Sequence, residues 1–122
     1  MKRGSCLCGE VTYASEGPWR PSMACHCTQC RKTTGHYLSA TQVPTANLTI
    51  AGDTLAWFQS SPEARRGFCV KCGSSLFWQQ GGREMTSVMT GTLDGATGLT
   101  TSTHIHLEDK GDYYAIPESE IE

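Results

Sequence analysis

The amino-acid sequence predicts a mainly β domain with short strands, little helix and bound metal. Thirteen glycines and five prolines are spread through the 122 residues, as is typical of a fold in which turns join short strands. Helical periodicity is weak along the whole chain. Seven cysteines fall into three clusters, a pattern typical of metal ligands. At this length we expect one domain that covers residues 1–122.

The strand predictions rest on short runs between turn residues. In the first run, alternation places Val11 and Tyr13 on one face and Thr12 on the other. The last run alternates polar and apolar residues in the same way. The predicted strands are Glu10–Ser15, Tyr37–Val43, Asn47–Ala51, Thr54–Gln59, Ser75–Gln80, Met85–Met89 and Thr101–Leu107.

Glycines mark the turns between these runs. Gly52-Asp53 and Gly81-Gly82 each separate two predicted strands, so each predicts a hairpin. The helical signal is best in a turn or two that follows Cys27 and stops at Gly35, because glycine readily ends a helix.

Charge and hydropathy argue against nucleic-acid and membrane partners. Ten basic and twelve acidic residues give a formal charge of −2, whereas binding to a nucleic-acid backbone needs a basic face. No apolar run approaches the ~18–20 residues that cross a bilayer, so we expect no membrane partner. The first residues are not followed by the apolar stretch that a secretory signal contains. We therefore expect a reducing, cytoplasmic location in which thiols stay free.

The seven thiols belong to three motifs. Zinc takes thiolates at about 2.3 Å in a tetrahedron, and two cysteines separated by one or two residues can reach the same ion if the chain turns tightly. A glycine after the pair can adopt the positive φ that such a turn needs. A lone C-x-x-C also fits a redox motif, but three clusters in one small domain favour zinc. The motifs are C-x-C-G at 6–9, C-H-C-T-Q-C at 25–30 and C-x-x-C-G at 69–73.

Seven thiols fit one closed and one open zinc site. A structural zinc takes four protein ligands, and a catalytic zinc takes three and keeps a fourth position for water or substrate. The two pairs form a natural set of four, namely Cys6, Cys8, Cys69 and Cys72. The contiguous set of three is Cys25, Cys27 and Cys30.

Two other arrangements stay open from the residues alone. One pair can join part of the contiguous set, with a histidine completing a second closed site. Alternatively, both sites are structural and a histidine is the eighth ligand. The candidate histidines are His26, His36, His104 and His106.

Five motifs follow one another between Gly4 and Tyr114, nearly the whole chain. They are C-L-C-G, C-H-C-T-Q-C-R-K-T-T-G, R-R-G-F-C-V-K-C-G-S-S-L, G-T-L-D and H-I-H-L-E-D-K-G-D-Y-Y. In order and spacing they resemble the glutathione-dependent formaldehyde-activating enzyme family, which includes centromere protein V-like domains. The resemblance implies a β-tent of antiparallel sheets with two zinc ions, one on the set of four cysteines and one on the set of three.

The resemblance also implies an activity. The family's founding reaction condenses formaldehyde with glutathione to S-hydroxymethylglutathione and is classed as a carbon–sulfur lyase. It implies that Cys25, Cys27 and Cys30 are the candidate catalytic residues. Small aldehydes and thiols are the expected partners, with glutathione the first candidate. The alternative is a non-catalytic zinc module that binds a protein or a nucleic acid, which a fourth protein ligand at these three cysteines would favour.

Other polar residues near the motifs have a functional and a structural interpretation. Arg31 and Lys32 follow the third cysteine of the set of three, so they either bind substrate carboxylates or lie on a solvated surface beside the thiolates. Arg66 lies three residues before Cys69 and is a further cation near thiols. His36 is either a proton carrier or a surface residue. His104 and His106 share one face if residues 101–107 form a strand.

Overall fold

Ten strands and one α-helix form within residues 1–120, the part of the chain that the computed structural model describes. The prediction of a mainly β fold with little helix is therefore confirmed, and residues 121–122 of the predicted domain lie outside the described part. The strands are β1 (Lys2–Ser5), β2 (Thr12–Ser15), β3 (Ser22–Cys25), β4 (Leu38–Pro44), β5 (Leu48–Ala51), β6 (Leu55–Gln59), β7 (Ala64–Cys69), β8 (Ser75–Gln80), β9 (Met85–Met89) and β10 (Thr101–Ile105). The helix is α1 (Thr28–Thr34).

The strands form two sheets. The smaller sheet has three strands in the order β1-β2-β5, and the larger has seven in the order β10-β3-β4-β9-β8-β7-β6. All described pairs of neighbours are antiparallel except β10 and β3, which run parallel. No helix among the described residues is long and apolar enough to cross a bilayer.

The larger sheet has two different faces because successive side chains of a strand point to opposite sides. One face contributes Val43, Phe77 and Val88 to a buried cluster. The same cluster contains Tyr13 of β2 and Val11, which directly precedes β2. The main core therefore lies between the two sheets. Tyr13 and Phe77 meet there edge to face, with ring centroids 5.3 Å apart.

The other face of the larger sheet supports a second, smaller cluster. Leu38, Ala40 and Met89 are buried there, and Trp78 packs against them. These residues alternate with those of the main core along β4, β8 and β9. Cys30 of the helix joins this cluster, so α1 lies on the outer face of the sheet.

The helix begins and ends where its sequence predicts. Cys27 is its N-cap, and its Sγ accepts a hydrogen bond from the backbone N–H of Cys30 at 3.3 Å. Gly35 ends it with φ +84°, and its N–H donates to the carbonyl oxygen of Arg31 at 2.8 Å. This left-handed conformation favours glycine, so the predicted stop is confirmed.

One predicted hairpin is confirmed and the other is wrong. β8 and β9 pair across the turn that contains Gly81-Gly82. By contrast, the runs on either side of Gly52 belong to different sheets, because β5 pairs with β2 and β6 pairs with β7. Leu48 and Ile50 of β5 and Leu55 and Trp57 of β6 pack against the same main core, but from different sheets. The chain therefore crosses between the sheets at Gly52, with φ +127°.

The largest further differences concern two strand limits and three strands that were not predicted. The first predicted strand begins only at Thr12, because the N–H of Cys6 donates to the carbonyl of Val11 and closes a turn there. The last ends at Ile105, and His106 adopts φ +57°. His104 and His106 therefore do not share a strand face. β1, β3 and β7 have no counterpart among the predicted strands.

Candidate metal centres

Four thiols meet where the turn after β1 lies against the turn after β7. Their Sγ atoms all lie within 4.8 Å of one another, and they belong to Cys6, Cys8, Cys69 and Cys72. The Sγ of Cys8 is 3.6 Å from that of Cys6 and 3.8 Å from that of Cys69. Zn–S bonds of about 2.3 Å in a tetrahedron place neighbouring sulfurs about 3.8 Å apart. The four-thiol group therefore fits a zinc ion.

Glycines allow both turns to bring their thiols inward. Gly9 and Gly73 each have φ +81°, and a Cβ at either position would meet nothing within 4 Å. The backbone conformation, rather than lack of space, therefore requires glycine. Their N–H groups donate to the carbonyls of Cys6 and Cys69 at 3.1 and 2.8 Å and close the two turns.

Polar neighbours favour the thiolate form of two members of the four-thiol group. At Cys8, by contrast, a backbone hydrogen bond at Glu10 is outweighed by desolvation and by hydrogen bonds to the other thiols, which raise the pKa of Cys8 to about 12. Hydrogen bonds from the hydroxyl and backbone of Ser74 lower the pKa of Cys72 to about 5. The Oγ1 of Thr54 lies 3.3 Å from the Sγ of Cys69 and lowers the pKa of that thiol. Because the thiolate is the form that binds zinc, these contacts prepare the group for a metal ion.

The remaining three thiols meet on the outer face of the larger sheet. Cys25 ends β3, Cys27 caps α1, and Cys30 lies in the first turn of that helix. Their Sγ atoms also lie within 4.8 Å of one another. Within residues 1–120, no fourth cysteine, histidine, aspartate or glutamate joins this three-thiol group. Cys30 is buried, whereas Cys25 and Cys27 are partly exposed.

Hydrogen bonding distributes charge within the three-thiol group. The thiol of Cys30 lowers the pKa of Cys25, and the same interaction, together with burial, raises the pKa of Cys30. Arg66 places Nη2 3.8 Å from the Sγ of Cys30 and opposes that rise. Its guanidinium is oriented by Gln29, whose Oε1 accepts from Nε and Nη2 at 3.3 and 3.1 Å. Arg66 therefore supplies a positive charge next to a potential metal ligand.

The four histidines lie outside both thiol groups of the described chain. His26 is fully buried, with its ring nitrogens 2.6 Å from the hydroxyl of Tyr114 and 2.9 Å from Nδ1 of His104. Burial and the electrostatic effect of nearby His104, Lys110 and His36 lower the pKa of His26. Within residues 1–120 the structure therefore gives no histidine ligand to either group.

A cavity of ≈ 730 Å³ opens beside the three-thiol group. Its floor is the second apolar cluster, where Leu38, Met89 and Trp78 lie beside the thiols. Its charged lining consists of Arg20, Arg66, Arg83, His106 and Asp109 in addition to the thiols. A second depression of ≈ 970 Å³ lies at the turn between β8 and β9, and no described cysteine or histidine lines it. The ≈ 730 Å³ cavity beside the three-thiol group is therefore the candidate substrate site.

The cations of this cavity are not the ones next to the cysteines in sequence. Arg31 and Lys32 do not line it among the described residues, although they follow Cys30 directly. Sequence reasoning missed Arg20 and Arg83, which come from a segment before β3 and from the turn after β8. Only the pairing of β3, β4 and β9 brings those segments beside the thiols, so adjacency in sequence gives no signal for them.

Comparison with known proteins agrees with this geometry. An uncharacterized lyase of Schizosaccharomyces pombe is 25% identical over 115 residues, which is 91% of this chain and 82% of that protein. A crystal structure of a Rhodobacter sphaeroides protein matches 79% of this chain and 91% of its own, with a TM-score of 0.66 and 24% identity. That likeness shows the fold. The family profile described as glutathione-dependent formaldehyde-activating enzyme matches residues 1–109. Since this match includes all seven cysteines in their two groups, the chain belongs to the glutathione-dependent formaldehyde-activating enzyme family.

Proposed function

We propose that the protein is a zinc-dependent carbon–sulfur lyase that joins a small aldehyde to a thiol. Formaldehyde and glutathione are the first pair to test, because the chain belongs to a family described by that pair. The observation that carries the proposal is the three-thiol group at the wall of a ≈ 730 Å³ cavity, without a fourth ligand from residues 1–120. Three protein ligands beside a cavity are the arrangement of a catalytic zinc.

The two thiol groups have different proposed roles. Cys6, Cys8, Cys69 and Cys72 would hold a structural zinc that joins the two sheets. Cys25, Cys27 and Cys30 would hold the second ion and are the proposed catalytic residues. Zinc bound there would supply a Lewis acid able to hold a thiolate or polarise a carbonyl.

The chain's own residues orient and protect the reactants. The apolar floor formed by Leu38, Met89 and Trp78 excludes water from one side of the cavity. Arg66 holds its charge near Cys30 and so offsets the negative charge of clustered thiolates. Confinement of two reactants in one cavity lowers the barrier because their relative motion is already restricted.

The proposed reaction is an addition in which nothing leaves. The thiol sulfur forms a bond to the carbonyl carbon, and the thiol proton ends on the carbonyl oxygen, which becomes a hydroxyl. His106 and Asp109 line the same cavity, and either side chain can carry this proton. The reverse step breaks the same carbon–sulfur bond.

Free thiols also bear on where the enzyme works. None of the seven cysteines forms a disulfide. Zinc binding needs the cysteines in the reduced form. We therefore propose the reducing cytoplasm as the location. Cell fractionation tests this location, and we expect the tagged native protein in the cytoplasmic fraction.

Exchange spectroscopy tests the activity. With zinc-loaded protein, glutathione and ¹³C-labelled formaldehyde, we expect the exchange rate between free aldehyde and S-hydroxymethylglutathione to rise in proportion to protein concentration. Cys27→Ser is expected to remove this increase, because it removes one proposed zinc ligand. An exchange rate independent of the protein, in samples that hold two zinc ions per chain, would leave a non-catalytic zinc module as the better description.

A further inference from the structure

Three arginines line the cavity, and none of them forms an ion pair with a carboxylate of residues 1–120. They are Arg20, Arg66 and Arg83. Asp109 is the single described carboxylate in the lining, and it is exposed. An excess of guanidinium groups in one cavity favours an anionic ligand, since arginine binds carboxylates through paired N–H donors.

Arg66 is already engaged by the protein. Its guanidinium donates twice to Gln29 and approaches the sulfur of Cys30. The positive charge of this arginine therefore serves the three-thiol group. Arg20 and Arg83 are the two other arginines of the lining.

Arg20 is held in place by neutral acceptors. Its Nη2 and Nε donate to the carbonyl oxygens of Ala40 and Pro21 at 3.0 and 3.4 Å, and its Nη1 lies 3.5 Å from Oε1 of Gln42. Partial burial and the positive charge of Arg83 lower the pKa of Arg20. Both guanidinium groups line the cavity, and an anion bound to both would offset their mutual repulsion.

The strand register gives the distance from Arg20 to the thiols. Cys25 is paired with Leu38 of β4, whereas Arg20 contacts Ala40 and Gln42 on the same strand. Two to four residues of a strand span about 7–13 Å. A ligand that joins both ends must therefore be as long as roughly two to four extended residues.

We propose that Arg20 and Arg83 form a carboxylate-binding site that selects thiols whose carboxylate lies a peptide's length from the sulfur. The inference deepens the proposed function, because it places the sulfur at the three-thiol group and the carboxylate at the other end of the same cavity. Each carboxylate of glutathione is about six to eight bonds from its sulfur, which suits this span. The carboxylate of 3-mercaptopropionate is too close to its sulfur to reach both ends.

Calorimetric titration of the zinc-loaded protein with paired ligands tests the site. The pair is S-methylglutathione and its diethyl ester, which share one tripeptide backbone; the ester groups remove both negative charges, and neither ligand offers a free thiol. We expect the ester to bind the wild type at least about tenfold more weakly, as expected for loss of a charge-assisted contact. Arg83→Gln and Arg20→Gln are expected to bring the two affinities within about threefold of each other.

A matched control lies on the opposite face of β7. Arg65 stacks on Trp57, with its guanidinium carbon 4.0 Å from the ring centroid, and donates to Gln79. Arg65→Gln removes the same charge outside the cavity, so the preference for the free acid is expected to remain. Arg83 is exposed, so its variant keeps the test decisive if Arg20→Gln fails to fold.

The outcomes separate this inference from the proposed function. An equal preference for the free acid in wild type, Arg20→Gln and Arg83→Gln would overturn the carboxylate site, whatever the exchange assay shows. Loss of that preference in both variants supports the site, even if the protein fails to accelerate the exchange of formaldehyde and glutathione. Arg20→Gln is expected to weaken the binding of glutathione but not of 3-mercaptopropionate. An equal loss of affinity for both ligands would contradict the proposed span.

Discussion

Cys27 has two separate tasks that a single substitution can distinguish. Its sulfur belongs to the three-thiol group and also accepts the N–H of Cys30 as the N-cap of α1. Serine is a favoured N-cap residue, whereas alanine is a poor one. Serine therefore keeps the cap but supplies a far weaker zinc ligand than a thiolate.

We expect Cys27→Ser to lower the zinc content from about two ions per chain to about one, since two groups of thiols each suit one ion. The melting temperature is expected to change little. Cys27→Ala is expected to lose the same ion and in addition about 0.5–2 kcal/mol of stability through the missing cap. Elemental analysis and thermal unfolding by circular dichroism measure the two effects. Two zinc ions retained in both variants would show that Cys27 is not a ligand.

Tyr13 predicts a specific loss of stability at high pH. Its ring is buried in the main core, and burial raises its pKa from 10.0 to about 12. Below pH 10 the phenol is protonated in both the folded and the unfolded chain, so its stabilisation is complete. Between pH 10 and 12 the unfolded chain loses this proton first, and the free energy of unfolding falls by about 1.4 kcal/mol per pH unit.

Tyr13→Phe is expected to remove that part of the pH dependence. At neutral pH it costs about 1 kcal/mol, because the hydroxyl no longer bonds Oγ1 of Thr92, which lies 2.6 Å away. Urea unfolding at pH 7, 9 and 11 measures both effects. The exposed Tyr113 gives the control, and Tyr113→Phe is expected to keep the wild-type slope.

At the scale of elements, alternation of side chains predicts strands better than it predicts their partners. The runs that became β8 and β9 contain their own turn, so a local signal suffices for that hairpin. β5 and β6 are equally close in sequence but pack in different sheets. Both strands contribute side chains to the main core, so their different partners are set by strands distant in sequence, and that is a non-local effect. β7 was missed because Arg65 and Arg66 lie together in it, although they point to opposite faces.

Gly52 is the point at which the chain leaves one sheet for the other. It has φ +127°, and a Cβ there would clash with the carbonyl oxygen of Glu10. We expect Gly52→Ala to destabilise the protein by about 2 kcal/mol or more, since both strain and overlap oppose it. Gly91 is the control, because a Cβ there meets nothing within 4 Å and its φ is not positive. Equal denaturation midpoints for the two variants would contradict this account.

The segment after β10 fixes the loop that carries the three-thiol group. Tyr114 bonds His26, which lies between Cys25 and Cys27, and Lys110 lies 4.5 Å from the Tyr114 ring centroid. Tyr114→Phe is therefore expected to release zinc from the three-thiol group several-fold faster and to leave the four-thiol group unchanged. Release into a chromogenic chelator measures both phases. Tyr113→Phe, next to it but exposed, is expected to match the wild type.

At the scale of the whole molecule, the two thiol groups differ in what they connect. The four-thiol group joins the turn after β1 in the smaller sheet to the turn after β7 in the larger. The three-thiol group lies within 25–30 on the outer face. Cysteine spacing favoured this division, whereas the arginines of the cavity could not be found from spacing, because three separate strands bring them together.

We therefore expect a chelator to act in two stages. The ion of the three-thiol group is expected to leave first with little loss of β structure. Removal of the second ion is expected to unfold the domain, because structural zinc contributes about 10–16 kcal/mol and a domain is stable by only about 5–15. Cys69→Ser is expected to mimic the second stage. Circular dichroism and metal release are measured together. If both ions leave at once, the two groups do not differ in role.

The turn of Cys8 and the turn of Cys69 are close in space but 61 positions apart in the chain. A metal ion that joins them closes a loop containing β2 to β7, α1 and all three thiols of the other group. Closing a loop of this size removes about 4 kcal/mol of chain entropy from the unfolded state. During synthesis, that closure must wait until Cys72 has left the ribosome. A chain made under zinc starvation keeps this long loop open to proteases, so we expect the cellular half-life of the protein to follow the zinc supply.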